Sequence, residues 1–441
     1  MIDSLARVLE LMTHHGAYRI YAKRLSRNDN SKNQVYLGGG FAALNVLPHD
    51  QIYVDTTGRG GSKRDRPKAA VRFFWVDECG KHLAPDANLI LYPDYPEVRM
   101  SGFLRGCSSA PNSLMTGRND GRVLFLGVTR QEEILGFVVD AASAISNQVN
   151  AHTWPTLGIF LEIPLKLDEP TDPRTILLDH LRRIYHQKWI GSQKLSRTGQ
   201  RASYEARNGG GYTLEAELGI QPNGYAEPDF MGWEVKQYGV KNFDSFMPKS
   251  AVTLLTPEPT GGFYKTDTAE NFVTRFGYAD KSGKPHRTNF GGIYSCQKAA
   301  HPDTGLRMTL VGFDAATGTI TDINGGLALV TEDGEEAATW SFASLMAHWN
   351  RKHAQAAYVP SLFRTPPPAY AYGPRVLLCE QTDFILFLDA FAAGRVYYDP
   401  ALKLVRLPSG KEALHRRSQF RIQHSNLTRM YHRHETVSFD A

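Results

Sequence analysis

The chain has 441 residues, of which 42% are hydrophobic and 22% charged, a balance typical of a folded globular protein and too apolar for a disordered one. Lys and Arg number 50 against 45 Asp and Glu, so the net charge of +5 neither requires nor excludes a polyanionic partner. No apolar run approaches the roughly 18 residues of a membrane helix, and the acidic start Met1-Ile2-Asp3 is unlike a secretory signal. We expect a cytoplasmic protein without membrane contacts and with about two or three domains.

The first part of the chain is predicted to be rich in β-strands. Apolar residues at helical spacing predict one helix over residues 4–15, after which short apolar runs alternate with turn residues to about residue 165, the pattern of a barrel or sandwich. The runs are 70–76, 89–92, 123–128 and 158–163. The four widely spaced cysteines show no CxxC pattern and are expected to be free thiols, not zinc ligands or disulfides.

A stretch with two prolines and mixed charge, residues 166–173, is predicted to connect two domains. We place the domains at 1–168 and 176–441, with the linker at 169–175. The second domain is predicted to be mixed α/β. Its predicted elements are a helix over 174–190, a strand over 306–313 leading into a hairpin, a helix starting at 340–346 and a surface loop at 366–368.

The clearest chemical signal is a pair of carboxylates followed by a lysine. Asp229, Glu234 and Lys236 form the pattern D-x4-E-x-K. Residues two apart on a strand point to one face, so Glu234 and Lys236 are expected side by side, with Asp229 brought near across a turn at Gly232. Two carboxylates can hold Mg²⁺, which stabilises charge on a phosphate in the transition state and acidifies a bound water. Lys236 would orient or deprotonate that water, so the pattern suits phosphodiester hydrolysis.

A pattern this short arises by chance about once in a chain of this length. A solvated strand with alternating Glu and Lys would look similar. The three residues alone leave both interpretations open.

The sequence around the motif favours the nuclease interpretation. The segment GGGYTLEAELGI (209–220) precedes the motif and KSAVTLLTP (249–257) follows it. Together with the motif they resemble the MvaI/BcnI restriction endonucleases and their relative MutH, within the PD-(D/E)xK nuclease superfamily. Further matching segments occur in the same order, and the resemblance covers roughly residues 180–440. They are RFGY (275–278), WSFASL (340–345) and QFRI (419–422).

This resemblance implies a MutH-like mixed α/β nuclease domain and a role for each motif residue. Asp229 and Glu234 would be the Mg²⁺ ligands and Lys236 the catalytic lysine. Glu215 matches the helical acid that assists at such sites, although a solvated helix carboxylate is an equally simple interpretation.

The most basic segment runs from Lys411 to His434 and contains six Lys or Arg and four His against one acid, Glu412. A solvated basic surface is one interpretation, and phosphate and guanine contacts are the other. The match at 420–422 to the DNA-reading region of the family favours DNA. The candidate DNA-binding residues here are Arg406, His415, Arg416, Arg417 and Arg421.

Two segments of the first domain, 18–34 and 97–101, combine hydrogen-bond donors with short apolar strands. A polar loop would explain them, but they resemble the two DNA-gripping arms of the EcoRII-type N-terminal effector domain, a β pseudobarrel similar to plant transcription-factor domains. Val98 stands where that family has a lysine, so one donor is missing. Glu97 would accept from a cytosine amino group and Arg99 would donate to guanine. The implied DNA-binding residues are Lys23, Arg24, Ser26, Asn28, Asp29, Lys32, Gln34, Glu97 and Arg99.

Both resemblances point to DNA containing CCWGG, where W is A or T. They imply an α+β multidomain protein that acts as a Mg²⁺-dependent type II restriction endonuclease on double-stranded DNA. The enzyme would be monomeric, would cut the two strands in successive steps, and would bind a second site through its N-terminal domain as effector. A cognate DNA methyltransferase is expected in the same system. The alternatives are a MutH-like strand-nicking repair endonuclease and a non-catalytic DNA-binding regulator.

Overall fold

The computed structural model describes residues 2–27, 34–39, 41–55, 66–92, 97–165, 173–196, 199–206, 208–220, 230–353, 355–407 and 409–440. The chain divides into two compact units, 1–172 and 173–441, each with its own hydrophobic core. Residues 169–172 of the predicted linker lie outside the described ranges, and the second unit begins with a helix at Pro173. No helix in the described part of the chain is long and apolar enough to cross a membrane.

The first unit is built mainly of strands. Its helices are α1 (Leu5–His14), α2 (Asn112–Thr116) and α3 (Ala144–Ala151), with a 3-10 turn at Ala42–Asn45. Its strands are β1 (Ala17–Arg24), β2 (Gln34–Gly39), β3 (Tyr53–Asp55), β4 (Arg66–Ala70), β5 (Arg72–Asp77), β6 (Gly80–Ala84), β7 (Asn88–Tyr92), β8 (Glu97–Ser101), β9 (Val123–Thr129), β10 (Glu133–Val139), β11 (Thr156–Leu157) and β12 (Phe160–Ile163).

These strands form two sheets, one in the order β11-β12-β1-β9-β10-β5-β6 and one in the order β2-β8-β7-β4-β3. Helix α1 buries its apolar stripe in the core beside the first sheet, through Leu5, Val8, Leu9 and Met12. That burial explains why the amphipathic pattern forms a helix, and it confirms the helix predicted over 4–15. The run predicted as one strand over 70–76 is in fact two strands, because the chain passes from the second sheet to the first at Val71.

The second unit mixes helices and strands. Its helices are α4 (Pro173–His186), α5 (Gly209–Glu217), α6 (Phe263–Thr266), α7 (Ala269–Phe276), α8 (Phe342–Lys352) and α9 (Phe384–Ala392), with a 3-10 helix at His424–Met430. Its strands up to residue 320 are β13 (Ile190–Gly191), β14 (Gln193–Leu195), β15 (Arg201–Ser203), β16 (Glu234–Gly239), β17 (Val252–Leu255), β18 (Tyr278–Ala279), β19 (Arg287–Gly291), β20 (Arg307–Val311), β21 (Phe313–Asp314) and β22 (Thr319–Ile320). The later strands are β23 (Gly326–Val330), β24 (Glu336–Ser341), β25 (Gln355–Arg364), β26 (Ala369–Tyr372), β27 (Arg375–Glu380), β28 (Val396–Tyr398), β29 (Ala401–Arg406), β30 (Glu412–His415), β31 (Phe420–Ile422) and β32 (Arg433–Ser438).

The central sheet of this unit has the order β13-β26-β25-β27-β32, and β16 also pairs with β25. A smaller sheet joins β17, β31 and β28, and another joins β18, β19, β29 and β30. Helices α4 and α5 pack on the central sheet, and the core between them contains Leu181, Leu214 and Val235. The mixed α/β prediction for this unit is therefore confirmed.

Two predicted helix boundaries in this unit were wrong. The helix predicted from Trp340 begins at Phe342, because the Ser341 side chain caps it by accepting a hydrogen bond from the amide of Ser344. The helix predicted over 174–190 ends at His186, and Lys188 adopts a left-handed conformation with φ of 62° that stops it. The strand predicted over 306–313 is β20 followed by the short β21, and β21 forms a hairpin with β22, so the prediction of a strand that leads into a hairpin is confirmed. The proline loop at 366–368 lies at the surface, and the four cysteines are free thiols, as predicted.

Candidate active site and DNA-contact residues

Strand β16 carries the second half of the acidic-lysine motif. It runs parallel to β25, with Glu234 opposite Ala356 and Lys236 opposite Tyr358. Val235 between them belongs to the hydrophobic core. Side chains alternate along a strand, so Glu234 and Lys236 share the opposite face.

The two charged side chains on that face are in direct contact. Lys236 Nζ donates a hydrogen bond of 2.9 Å to Glu234 Oε1. The side chain of Glu234 is 7% exposed and that of Lys236 is 20% exposed, so the pair is largely shielded from water. A charge pair in this setting interacts more strongly than one at the surface. The structure thus brings together two of the three motif residues in the way their spacing predicts.

A tight turn leads into β16. The amide of Phe230 donates to the carbonyl of Trp233 at 2.9 Å, and the amide of Trp233 donates back at 2.8 Å. Trp233 is 1% exposed and anchors the turn in the core. Asp229 lies outside the described residues. In the sequence it directly precedes Phe230, and Glu234 directly follows Trp233. The turn at Gly232 is therefore present as predicted.

The donor chemistry of Glu234 fits a hard divalent cation, because carboxylate oxygens are the ligands that Mg²⁺ prefers. Lys236 donates its hydrogen bond to Oε1, one of the two carboxylate oxygens of Glu234. Within the described ranges no group of three or more His, Cys, Asp or Glu could hold a metal. The predicted metal set includes Asp229, which those ranges do not contain.

Helix α5, which carries Glu215, packs against the face of β16 that holds Val235 and Gln237. A Cβ atom on Gly210 would lie 2.8 Å from the side-chain oxygen of Gln237, closer than side chains tolerate, so glycine lets α5 approach β16. Glu215 is half-buried on this helix. Glu217, two residues later, is 6% exposed and pairs with Arg201 at 2.6 Å. Glu217 is therefore a fixed structural acceptor.

Two aromatic residues, one on β16 and one beside it, were not predicted. Tyr238 follows Lys236 by two positions on the same face of β16, and its ring centroid lies 4.2 Å from that of His424. Burial raises the pKa of Tyr238 to about 12 and lowers the pKa of His424. The i, i+2, i+4 spacing from Glu234 would have identified Tyr238, whereas no local pattern marks His424. This contact joins the catalytic strand to the basic C-terminal segment.

Buried phenols form the wall behind Glu234. The hydroxyl groups of Tyr358 and Tyr431 lie 2.9 Å apart. Burial raises the pKa of both, and the negative charge of Glu234 adds to the effect. Both tyrosines stay protonated and neutral, so the nearby carboxylate is not opposed by a second negative charge.

The predicted DNA-binding residues of the second unit lie on β29, β30 and β31 and on the segment between the last two. Arg406 is 65% exposed and 3.5 Å from Glu412, and His415 is exposed at the end of β30. Arg416 lies 3.6 Å from Glu270 and is 46% exposed. Side chains held this loosely at the surface can turn toward a phosphate at little cost.

Arg421 is placed differently. Its side chain is 20% exposed and pairs with Asp399 at 2.6 Å, while a second guanidinium nitrogen donates to the carbonyl of Ala251 at 2.7 Å. Arg417 also reaches Asp399, at 3.5 Å, and is 48% exposed. Asp399 therefore holds two of the predicted DNA-binding arginines, a role that no sequence pattern indicated.

The two predicted arms of the first unit meet in one sheet. Strands β2 and β8 are antiparallel neighbours with Gln34 opposite Ser101. Arg99 donates to Glu97 at 2.8 Å and to the side-chain oxygen of Gln34 at 3.4 Å. Its guanidinium lies over the ring of Tyr92, 5.0 Å from the centroid. Gln34, Glu97 and Arg99, far apart in sequence, thus form one cluster.

The other predicted residues of the first arm are not part of this cluster, and their exposure varies. Lys23 is 4% exposed and donates to the carbonyl of Arg24 at 3.1 Å. Arg24 donates to the side chain of Asn150 at 2.9 Å. Ser26 is exposed, and its carbonyl accepts from Arg122 at 3.3 Å. Asn28, Asp29 and Lys32 lie outside the described residues.

Comparison with known proteins identifies the second unit. Residues 178–431 match the model of the MvaI/BcnI restriction endonuclease family. Two solved structures are similar at 16% identity, each covering 61% of this chain and 99% of its own: restriction endonuclease MvaI in complex with its cognate DNA substrate, with a TM-score of 0.45, and MvaI in the absence of DNA, with a TM-score of 0.34. No curated protein matches the chain.

The family match spans more than half of the chain and includes the whole acidic-lysine motif. The chain belongs to the MvaI/BcnI restriction endonuclease family. It is a type II site-specific deoxyribonuclease, as the motif and its flanking segments predict.

Proposed function

We propose that the protein is a Mg²⁺-dependent restriction endonuclease that cuts double-stranded DNA at a CCWGG-like site. The observation that carries this proposal is the shielded Glu234–Lys236 pair, 2.9 Å apart at the start of β16, directly after the turn that follows Asp229. Asp229 and Glu234 are the proposed metal ligands. Glu215 on the neighbouring helix α5 is proposed to assist them.

The chemistry follows from the arrangement of these groups. Mg²⁺, when bound, would supply positive charge next to the scissile phosphate. The ammonium group of Lys236 is held by Glu234, so it is oriented before DNA arrives. A preorganised cation beside the phosphate stabilises the negative charge that develops as water attacks, and it orients that water. Tyr358 and Tyr431, which are buried and stay neutral, keep the surroundings of Glu234 free of a second negative charge.

Digestion of a plasmid with one CCWGG site tests this function. With Mg²⁺ we expect cutting at that site, mapped by run-off sequencing of both ends, and no cutting with EDTA. Asp229→Ala and Lys236→Ala should abolish cutting and leave specific binding measurable. Lys265→Ala, which removes an exposed lysine from α6, is the matched control and should cut normally.

The outcomes separate the alternatives. Full activity of Asp229→Ala or Lys236→Ala would overturn the site assignment. A product nicked in one strand only, even after long incubation, would identify a MutH-like nicking enzyme. Specific binding without any metal-dependent cleavage would identify a DNA-binding regulator.

We further propose that residues 1–168 form an EcoRII-like effector domain, a β pseudobarrel that binds a second copy of the site, followed by the linker 169–175 and the nuclease domain 176–441. The cluster of Gln34, Glu97 and Arg99 supports this, because a carboxylate beside a guanidinium can read a C·G pair. Lys23, Arg24, Ser26, Asn28, Asp29 and Lys32 are the other proposed contacts of this domain. The enzyme would act as a monomer, with two DNA sites in all and a cognate methyltransferase in the same system.

Stimulation by a second site tests the effector role. Addition of a CCWGG oligonucleotide should accelerate cutting of a single-site plasmid, and Arg99→Ala should remove that acceleration. Arg105→Ala is the control, since Arg105 is 83% exposed and only loosely paired with Asp86, at 3.7 Å. Removal of residues 1–165 should leave a specific but weaker nuclease. A truncated protein that bound and cut as well as the full chain would contradict the second-site proposal.

A further inference from the structure

The turn that joins the two proposed metal ligands has an unusual residue at its tip. Met231 and Gly232 occupy its two central positions with φ of 45° and 95°. Positive φ at both positions is the pattern of a type I′ turn, which favours Asn-Gly or Gly-Gly. Glycine satisfies this at position 232, but methionine is strained at position 231, because its Cβ crowds the backbone in the left-handed region.

Packing does not explain the methionine either. Its side chain is 47% exposed, whereas Trp233, two residues later, is buried at 1% exposure. An asparagine here would relieve the backbone and solvate better. Single exposed apolar residues are common, but an exposed apolar side chain on a strained backbone breaks two local preferences at once, and such exceptions concentrate at functional sites.

The position of the turn indicates what the side chain contacts. The turn directly follows Asp229 and directly precedes Glu234, and the reciprocal bonds of 2.8 and 2.9 Å between Phe230 and Trp233 hold it rigid. A phosphodiester bound beside Glu234 would lie next to this turn, since Glu234 directly follows Trp233, so its sugar and base are the groups that the turn tip would meet. A flexible apolar side chain packs well against the faces of sugars and the edges of bases.

We propose that Met231 is a DNA-contacting residue that packs against the sugar and base edge next to the scissile phosphate. This inference rests on the proposed function for the location of that phosphate. The strain at Met231 is retained because the turn must present an apolar side chain to DNA at this point.

Equilibrium binding of a cognate duplex by the full-length protein, with Ca²⁺ in place of Mg²⁺, tests the contact. Met231→Ala removes the side chain, Met231→Asn also relieves the turn, and Met231→Leu keeps the apolar volume. We expect the first two to raise Kd roughly tenfold, and Met231→Leu to remain within about twofold of wild type. Val311→Ala, which truncates a 54% exposed apolar residue elsewhere in the unit, should bind as wild type does.

Two further measurements exclude a purely structural role. The midpoint of unfolding should be higher for Met231→Asn than for Met231→Ala, since only asparagine suits the turn. With Mg²⁺ the asparagine variant should show a raised KM and a kcat within about twofold of wild type. Wild-type Kd in both the alanine and asparagine variants would overturn the proposal, as would a loss of kcat at unchanged KM. If the wild-type protein bound the duplex without cutting it, the proposed function would be contradicted. The Kd values of the Met231 variants would still decide whether Met231 contacts DNA.

Discussion

The guanidinium group of Arg421 donates a hydrogen bond of 2.6 Å to Asp399, and the same side chain reaches the carbonyl of Ala251 at 2.7 Å. These bonds tie β31, the loop before β17 and the loop after β28 together. Arg421 Nε is buried and has no hydrogen-bond partner among the described residues. An arginine anchored in this way is oriented before DNA binds, which lowers the entropic cost of a base contact.

Loss of the Asp399 carboxylate should therefore affect both stability and recognition. Asp399→Asn replaces a charge-assisted bond to a side chain that is only 20% exposed, so we expect a loss of about 1–2 kcal/mol in the free energy of unfolding. The ratio of cognate to non-specific binding should fall, because asparagine offers one neutral acceptor oxygen and so cannot hold both Arg421 and Arg417 as the two carboxylate oxygens of Asp399 do. Chemical denaturation and competition binding measure the two effects. Arg307→Ala, at an exposed position on β20, is the control, and an unchanged binding ratio in Asp399→Asn would contradict this role.

The Glu234–Lys236 pair permits a double-mutant cycle. Lys236→Met keeps the length of the side chain but leaves the buried Glu234 carboxylate without its ammonium partner, so metal-free protein should lose about 2 kcal/mol of stability. Adding Glu234→Gln should recover part of that loss, since the uncompensated charge disappears. Cleavage should fall by a factor on the order of 10² to 10³ in the single variant and should not recover in the double variant. Additive stability losses would show that the two groups are not coupled.

Substitutions of the two carboxylates on α5 should distinguish a residue needed for stability from one needed for catalysis. Glu217 accepts hydrogen bonds from Gln187 at 2.8 Å and from Gln193 at 2.6 Å, in addition to its pair with Arg201. Glu217→Ala should therefore cost about 2 kcal/mol of unfolding free energy. Glu215→Ala should slow plasmid cleavage more than Glu217→Ala does. The reverse pattern would mean that Glu215 is the structural residue of the two.

The stability of the protein should depend on His424 at mildly acidic pH. Burial lowers the pKa of this histidine below its ordinary value of 6.5, so the unfolded chain binds a proton there more readily than the native protein does. Protonation therefore favours unfolding, and the free energy of unfolding should fall as the pH drops below about 6.5. His424→Gln should make that fall shallower in denaturation experiments between about pH 5 and 8. Parallel curves for the variant and the wild type would contradict this.

Local features of the fold could be predicted from the sequence. The apolar stripe of α1 predicts its helix because burial of one face decides its structure, and the two-residue spacing of Glu234 and Lys236 predicts their contact because side chains alternate on a strand. The boundary errors have local causes as well. A serine that caps a helix also fits the end of a strand, so Ser341 does not reveal by itself where β24 ends and α8 begins.

Contacts between residues far apart in the chain could not be predicted from the sequence. Asp399 and Arg421 are brought together only when β28 pairs with β31, and His424 reaches Tyr238 only once the chain after β31 folds against β16. Nothing in the residues near Asp399 marks it as the acceptor for two arginines of the basic segment. Net charge hides this organisation too, since both arginines are matched by one acid, Asp399, in the loop after β28.

The parallel pairing of β16 with β25 has a consequence for how the protein is made. Lys236 lies opposite Tyr358, and the edge strand β32 that completes this sheet ends only at Ser438. Because a protein is synthesised from its N-terminus, the strand that carries Glu234 and Lys236 leaves the ribosome before its partner strands do. Glu234 and Lys236 therefore gain the sheet that supports them only after the strands from β25 to β32 have been made. We expect a chain that ends before β25 to be inactive, because β16 then has no strand to pair with.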